Sequence, residues 1–379
     1  MSSPLPLRIA TFNLSFSRPT AGGLWQALRD GEVQLKHCAE ILQRVRPDIV
    51  LLTEFDHDGE GRDERALTLF RLAYLGASQG GAEPIDYPYA WLIPTNTGLL
   101  SQVDLDGDGC LTLPGDGQGF GAFPGQYGML LLSRYPLLLD SVRTFRHFLW
   151  ARMPGAALPD RQPGSGLGDY YSAAALAQLR LSSKNHVDLQ VQLPHRRLHL
   201  LLSHPVPPVF DGAERRNKRR NHDEIRLWCD YLSGADYLCD DAGVGGGLAP
   251  EADFVLLGDL NADPLAGDGD RRAIRALLAH PRLHSEVAQG RLTPASLGGA
   301  QYGSRRSRPA AAALACHWTH LRGLRLDYVL PSHQLQLVAS GVYWPASAEP
   351  QRYLLADAQE RELAALSSDH RLVWVDLLL

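Results

Sequence analysis

The feature that most constrains the fold is a strand, a helix and a second strand in the first part of the chain. Residues 7–14 alternate as a half-buried strand does. Residues 33–45 repeat apolar side chains at helical spacing, and Pro47 ends that pattern. Residues 49–53 form a continuous apolar run, which is typical of a strand covered on both faces, and Glu54 follows directly. This order predicts a βαβ unit, so at least part of the sheet should be parallel.

The rest of the chain continues the pattern of an α/β protein. Strands are predicted at residues 128–133, 198–203, 254–257, 324–330 and 372–378, and helices near 222–232 and 271–279. The stretches near 76–125 and 154–168 are rich in glycine, proline and aspartate, which predicts two surface insertions. The sequence contains no internal repeat and no clear linker. We therefore predict one domain, residues 1–379, that carries both insertions.

Composition limits the classes to which the chain can belong. Its 379 residues, 45% of them hydrophobic, are enough for a large core, and no apolar run approaches the roughly 20 residues of a membrane span. A net charge of −5 argues against a protein that coats nucleic acid through bulk positive charge. The five cysteines form no CxxC pair, so buried thiols are expected, with a bridge between Cys229 and Cys239 left open. The first residues predict no signal peptide, and a cytoplasmic and an exported protein both remain open.

Polar side chains suited to catalysis stand where several predicted strands end. Each alone is a weak signal, because a carboxylate after a strand is more often a turn residue and a single histidine is more often structural. Strand ends converge at one edge of a sheet, however, so residues far apart in sequence can build one site there. The candidates are Asn13, Glu54, His204, Asp259, Asn261, Asp327, Asp369 and His370.

Taken in order, these residues and their neighbours resemble the endonuclease/exonuclease/phosphatase superfamily. The resemblance implies a four-layer α/β sandwich, in which two mixed β-sheets pack face to face with helices outside. The pattern of strands and helices alone is equally compatible with a doubly wound single sheet. The matching segments are Thr11-Phe-Asn-Leu, Asp48-Ile-Val-Leu-Leu-Thr-Glu, Gly128-Met-Leu-Leu-Leu-Ser-Arg-Tyr-Pro, Leu202-Ser-His, Gly258-Asp-Leu-Asn-Ala-Asp, Leu326-Asp-Tyr-Val-Leu and Ser368-Asp-His.

The resemblance also implies which residues hold a metal and activate water. Asn13, Glu54 and Asp369 would supply oxygen ligands to Mg²⁺ or Mn²⁺, the hard cations that such ligands suit. Asp259 would orient or deprotonate the attacking water. Asn261 would donate its amide hydrogens to a phosphoryl oxygen.

Two histidines are implied to act on either side of the phosphate. His370 would donate a hydrogen bond to the phosphoryl group and would be oriented by Asp327, because a carboxylate fixes the tautomer of an imidazole and favours its charged form. His204 matches the position that helps to protonate the leaving group in the deoxyribonucleases, which implies a general acid.

A separate acidic loop lies in the first insertion. Asp104, Asp106 and Asp108, followed by Gly109, match positions 1, 3, 5 and 6 of a calcium-binding loop. Gly115 stands at the twelfth position, where such loops carry a bidentate glutamate. A structural Ca²⁺ site and an acidic turn without an ion both remain open.

The sequence therefore predicts a monomeric, metal-dependent hydrolase that breaks phosphodiester or phosphomonoester bonds by water attack. Nucleic acid, small-molecule and lipid-headgroup substrates remain open. Arg219 and Arg220, in the basic run after the proline-rich loop that follows His204, are predicted to contact the substrate. The alternative from another class is a catalytically silent binding module of the same fold, stabilised by calcium.

Overall fold

A computed structural model describes residues 6–306 and 313–378. Its strands are β1 (Leu7–Asn13), β2 (Ile49–Thr53), β3 (Tyr89–Ile93), β4 (Met129–Ser133), β5 (Arg143–Thr144), β6 (His186–Gln192), β7 (Arg197–Ser203), β8 (Phe254–Asp259), β9 (Asp327–Pro331), β10 (Gln336–Val342) and β11 (Val373–Leu378). Its α-helices are α1 (Gly23–Asp30), α2 (Val33–Val45), α3 (Arg65–Leu69), α4 (Ala173–Leu176), α5 (Arg216–Leu232), α6 (Arg271–Leu278), α7 (Ser285–Ala288) and α8 (Leu297–Arg306).

Two mixed sheets form the centre of the molecule. The first has the order β10-β11-β1-β2-β4-β3 and the second the order β5-β6-β7-β8-β9. The pairs β1–β2 and β7–β8 are parallel, which confirms the βαβ unit predicted around α2. Strand β1 contacts β8 and β9, β2 contacts β8, and β11 contacts β9, so the sheets pack face to face. With helices outside, this is the four-layer α/β sandwich that the resemblance implied.

The central strands β2, β4 and β8 are apolar up to their last residues because each is covered on both faces. Every residue of β2 and of β4 is buried, and so is every residue of β8. One hydrophobic cluster runs through both sheets and the helices that cover them. The polar residues that end these strands are therefore held on a rigid, tightly packed base.

Some sequence predictions were wrong in their boundaries. The strand expected at 324–330 begins only at Asp327, because the backbone N–H groups of Arg325 and Leu326 donate to the side chains of Asp263 and Thr319 instead of to a neighbouring strand. The insertion expected near 76–125 contributes β3 to the edge of the first sheet, so it is not wholly a surface segment.

Two further points concern the chain as a whole. All five cysteines are free, so Cys229 and Cys239 do not form the bridge that the sequence left open. Among the residues that the structure describes, no helix has both the length and the apolar character that a membrane span requires.

The register of the strands brings the polar strand ends together. Asn13 lies beside Thr53, so Glu54 follows immediately on the neighbouring strand. In the second sheet, Asp259 and Asp327 are directly opposite each other. Thr11 is opposite Val373, which places the residues just before β11 next to the end of β1.

Candidate active site

The centre of the site is the buried carboxylate of Asp259, of which 1% is exposed. Its Oδ2 accepts a hydrogen bond from Asn13 Nδ2 at 3.0 Å and lies 3.5 Å from His204 Nε2 and 3.7 Å from His370 Nε2. Its Oδ1 accepts the backbone N–H of Asn261 at 2.9 Å. Burial opposes ionisation, but His370 and His204 hold the pKa of Asp259 well below its usual range. One oxygen atom is thus faced by three side chains that the sequence predicted to be functional.

Asn13 links two carboxylates. Its Nδ2 also donates to Glu54 Oε1 at 3.2 Å, and its Oδ1 accepts the backbone N–H of Ser15 at 3.0 Å. The amide presents its nitrogen to Glu54 and Asp259 and its oxygen to the backbone of Ser15, and the role of Asn13 as an oxygen ligand of a metal stays a prediction. In this arrangement Asn13 bridges the two carboxylates.

Three residues of the site adopt left-handed backbone conformations although none is glycine. The φ angles are 52° at Ser15, 60° at Glu54 and 51° at Asn261. Such angles are uncommon for non-glycine residues and persist where surrounding contacts fix them. The contacts are present: Glu54 O accepts the N–H of Phe16, and Asn261 Nδ2 donates to Pro205 O at 3.1 Å. The strand ends are therefore turned sharply so that their side chains face the same space.

His370 and Asp327 form a buried ion pair. His370 Nδ1 lies 2.9 Å from Asp327 Oδ2, which also accepts a hydrogen bond from Thr319 Oγ1 at 2.7 Å. Burial alone would lower the pKa of His370, but Asp327 and Asp259 raise it to about 10. His370 is therefore a cation near neutral pH, with Nε2 directed toward Asp259.

His204 faces the same oxygen in the opposite protonation state. Burial, with the Lys184 ammonium, lowers the pKa of His204 to about 4, although Asp259 acts in the other direction. Its Nδ1 is buried and has no hydrogen-bond partner among the described residues. A general acid must carry a proton, so the predicted role of His204 requires a change in its surroundings, such as the arrival of an anion.

Asp369 is fixed by two side chains that sequence reasoning did not identify. Its Oδ1 accepts a hydrogen bond from Ser15 Oγ at 2.6 Å, and its Oδ2 lies 3.2 Å from His320 Nε2. Burial would raise the pKa of Asp369, but His320 and His370 hold it far below its usual range. Asp369 is partly exposed, unlike Asp259, so its carboxylate can be reached from solvent.

The donor set suits a hard divalent cation. Burial raises the pKa of Glu54, although His370 acts in the other direction. Among the described residues its side chain accepts one hydrogen bond, from Asn13. Asp327 Oδ1 is buried without a hydrogen-bond partner among the described residues. Ligand atoms of His320, Asp369 and His370 lie within 4.8 Å of one another, as do those of Asp259, Asp327 and His370. Neither group contains Glu54, so a cation held by Glu54 and Asp369 stays a prediction.

Several residues of the site carried no sequence signal. Ser15 follows β1, but a serine is common in a turn, and Thr319 and His320 do not follow a strand. Ser15 and His320 are also far in sequence from Asp369, which they contact. Thr319 lies only eight residues before Asp327, but nothing in the sequence indicates that the chain turns back between them.

The two arginines predicted to contact the substrate are used elsewhere. Arg220 is buried, and its guanidinium donates to the backbone oxygens of Leu181, Gln118 and Arg180. Arg219 pairs with Asp160 at 2.9 Å. The basic run lies on α5, and the contacts of these two side chains are with neighbouring loops, so their contact with the substrate stays a prediction.

The acidic loop of the first insertion is a second, separate cluster. Carboxylate oxygens of Asp104, Asp106 and Asp108 lie within 4.8 Å of one another. The loop already satisfies part of this charge, since Asp104 accepts the N–H groups of Gly107 at 2.5 Å and Gly109 at 2.8 Å. The calcium site therefore stays a prediction.

A four-layer sandwich with carboxylates and imidazoles gathered at its strand ends defines a phosphoesterase fold. Residues 10–370 match the Endonuclease/Exonuclease/phosphatase family, and the chain belongs to that family. Members of this family are in general hydrolases of phosphate esters and typically depend on divalent metals. The sequence resemblance is thereby confirmed.

Solved structures with the same fold are distant in sequence. An endonuclease/exonuclease/phosphatase from Beutenbergia cavernae DSM 12333 is 18% identical, with a TM-score of 0.51, covering 99% of this chain and 72% of that one. A family protein from Leptotrichia buccalis C-1013-b is 11% identical, with a TM-score of 0.47, covering 98% and 100%. An AP endonuclease from Archaeoglobus fulgidus is 13% identical, with a TM-score of 0.46, covering 98% and 100%. No curated protein matches the sequence.

Proposed function

We propose that this protein hydrolyses phosphate esters by direct attack of water at the site around Asp259. The observation that carries the proposal is that Asp259 Oδ2, a buried carboxylate oxygen, is faced by Asn13, His204 and His370 within 3.7 Å. A phosphate ester repels nucleophiles, so a hydrolase must neutralise phosphoryl charge, orient water and protonate the leaving oxygen. The side chains here are suited to all three tasks.

The carboxylates divide the first two tasks between them. Glu54 and Asp369 would hold Mg²⁺ or Mn²⁺, which when bound would draw negative charge away from the phosphoryl oxygens. Asp259 stays ionised because His370 and His204 keep its pKa low, so it can accept a hydrogen bond from the attacking water and orient it. A carboxylate with a low pKa is a weak base, which makes orientation its main contribution.

Charged and neutral donors would surround the phosphoryl group. His370 carries a proton on Nε2 and donates it in a hydrogen bond to a phosphoryl oxygen, while Asp327 keeps the imidazole charged. Asn261 uses one amide hydrogen for Pro205 O, and its second would be directed to the phosphate. His204 would gain a proton as the substrate anion binds and would then give it to the leaving oxygen.

The test is a panel of phosphate esters with matched ions. Bis-p-nitrophenyl phosphate, p-nitrophenyl phosphate, DNA, RNA and sphingomyelin are each incubated with Mg²⁺, Mn²⁺ or Ca²⁺ and with EDTA. We expect turnover of at least one substrate with a divalent ion, and a loss of roughly 10²–10³ in rate for Asp259→Asn. If the wild type turns over none of them with any ion, the hydrolase proposal is rejected and the silent binding module takes its place.

A further inference from the structure

Lys184 is a buried lysine beside the site that sequence reasoning did not select. It lies just before β6, whose first residue, His186, is opposite Ser203 on β7. Continuing that register puts Lys184 next to the segment that follows His204. The backbone is fixed there, since Lys184 O accepts the N–H of Asn96 at 3.0 Å. Only 5% of the residue is exposed.

The ammonium group of Lys184 makes no hydrogen bond and no ion pair within residues 6–306 and 313–378. Its Nζ is not one of the fully enclosed polar atoms without a partner, so it keeps a small contact with solvent. Other buried cations of the chain are compensated: Arg220 donates to three backbone oxygens, Arg325 donates to Ala288 O, and Arg371 pairs with Glu362 at 2.8 Å. A charge that is so little hydrated favours the binding of an anion, which would supply the compensation.

The nearby carboxylate of Glu224 does not use up this charge. Glu224 Oε1 accepts the N–H of Ser183 at 2.6 Å, and Oε2 accepts the N–H of Val206 at 2.7 Å. Glu224 therefore ties the segment of Lys184 to the loop after His204. Burial lowers the pKa of Lys184, while Glu224, Glu54 and Asp259 raise it, so the ammonium lies within the electrostatic field of the site.

We propose that the Lys184 ammonium is a direct ligand of the substrate's phosphoryl oxygen, on the side of the site where His204 lies. This inference rests on the proposed function and adds a residue to it. An ammonium is a compact charge with three donors and binds phosphate without a required direction. Together, Lys184 and His370 would supply two fixed cations near Asp259.

The same contact explains how His204 could acquire a proton. In the substrate-free protein the Lys184 charge disfavours a protonated His204. A phosphoryl oxygen that binds to the ammonium would neutralise this charge and bring a negative charge near the imidazole. Both changes favour the protonated imidazole that a general acid requires.

The experiment measures anion binding separately from turnover. Lys184→Met removes the charge and keeps much of the side-chain volume, and Lys184→Gln keeps a donor without charge. Inorganic phosphate is titrated into the full chain with Mg²⁺ by calorimetry, Mn²⁺ affinity is measured by paramagnetic resonance, and thermal unfolding is recorded. Lys218→Met on α5 is the matched control, because it removes a partly exposed lysine whose backbone N–H, not its side chain, bonds to Asp211.

We expect Lys184→Met to weaken phosphate binding about 10-fold or more and to lower kcat by roughly 10²–10³, the usual effect of losing one donor to a developing anion. Lys184→Gln should fall between Lys184→Met and wild type. Mn²⁺ affinity and melting temperature should not fall, because an unpaired buried charge has been removed. Lys218→Met should bind phosphate as the wild type does.

Two results would overturn the inference. Phosphate binding and kcat at wild-type values in Lys184→Met would show that the ammonium does not contact the anion. A lower melting temperature with unchanged phosphate affinity in the folded fraction would make Lys184 a structural counter-ion of Glu224. Failure of the proposed function is distinguishable, since a wild type that hydrolyses nothing but binds phosphate through Lys184 leaves this inference intact.

Discussion

The chain contains two groups of acidic residues that differ in how their charge is compensated. The active-site group, around Asp259, is buried and is compensated by side chains from distant strands and loops, among them Asn13 and His370. The loop group, Asp104 to Asp108, is mostly exposed, and its own backbone amides lower the pKa of Asp104. A buried carboxylate is desolvated, so its charge must be compensated by side chains that the fold brings together. An exposed carboxylate is hydrated and needs only the N–H groups of its own turn. Substitutions should therefore have large effects in the first group and small effects in the second.

The largest expected effect comes from Glu54→Gln. The substitution keeps the volume but removes a negative ligand, so the half-saturating concentration of Mg²⁺ or Mn²⁺ should rise by about 100-fold and activity at low metal should be lost. Activity measured against metal concentration checks this. Asp108→Asn, in the loop group, is the control and should not move the curve. Full activity of the wild type in excess EDTA would contradict the metal assignment.

Substitution of His204 and of His370 should differ in how strongly the loss of rate depends on the leaving group. If His204 protonates the leaving oxygen, His204→Ala should lower the rate of hydrolysis of an alkyl ester by a factor of roughly 10²–10⁴. The rate on p-nitrophenyl esters should fall much less, because p-nitrophenolate leaves without a proton. His370→Ala should lower the rate on both kinds of ester by a factor of roughly 10²–10³, because His370 stabilises the phosphoryl oxygens. Steady-state rates on a leaving-group series give the comparison. Equal losses of His204→Ala on all esters would leave it as a binding residue.

Asp327→Asn should change the pH dependence more than the leaving-group dependence. Asp327 and Asp259 raise the pKa of His370 to about 10, above its usual value of 6.5, so the stability that the charged imidazole contributes is lost as the pH rises from 6.5 through about 10. The variant should show a lower pKa for His370 by NMR and a flatter loss of stability between pH 7 and 10. An unchanged His370 titration would remove Asp327 from this role.

The smallest effect is expected from the loop group. Asp104→Ala combined with Asp106→Ala should remove any calcium-dependent rise in melting temperature, a shift of about 2–4 °C for each kcal/mol of binding energy, with little change in turnover. Differential scanning calorimetry with calcium and with EDTA measures it. A wild-type melting temperature that is the same in both would reject the structural calcium site.

The sequence predicted much of the fold where one periodicity dominated. β1, α2 and β2 were placed almost to the residue, because each has an unbroken apolar pattern with a clear end. β6 was missed although polar and apolar residues alternate strictly along it, which is the pattern of a strand. β10 was missed because it is half exposed at the edge of its sheet and has no such alternation.

The sequence predicted that the polar residues at the strand ends lie together, but it did not predict the residues that contact and orient them. Asp259 and His370 could be identified because a carboxylate or an imidazole follows a buried strand and matches a family motif. Lys184 could not be identified, because the sequence does not show that this lysine is buried. The sequence also does not show that both carboxylate oxygens of Glu224 accept backbone N–H groups. The contacts of Arg219 and Arg220 with neighbouring loops could not be predicted either, because positive charge in the sequence does not show which face of a helix a side chain occupies.

The pairing of β1 with β11 has a consequence for biosynthesis. β1 lies between β2 and β11, and the segment that leads into β11 brings Asp369 next to Ser15. While the ribosome is still producing the residues before β11, β1 has an open edge, and open edges recruit other strands. The protein would therefore lack the complete site and be prone to aggregation until late in its synthesis, and chaperone capture of stalled nascent chains should fall sharply once β11 has emerged.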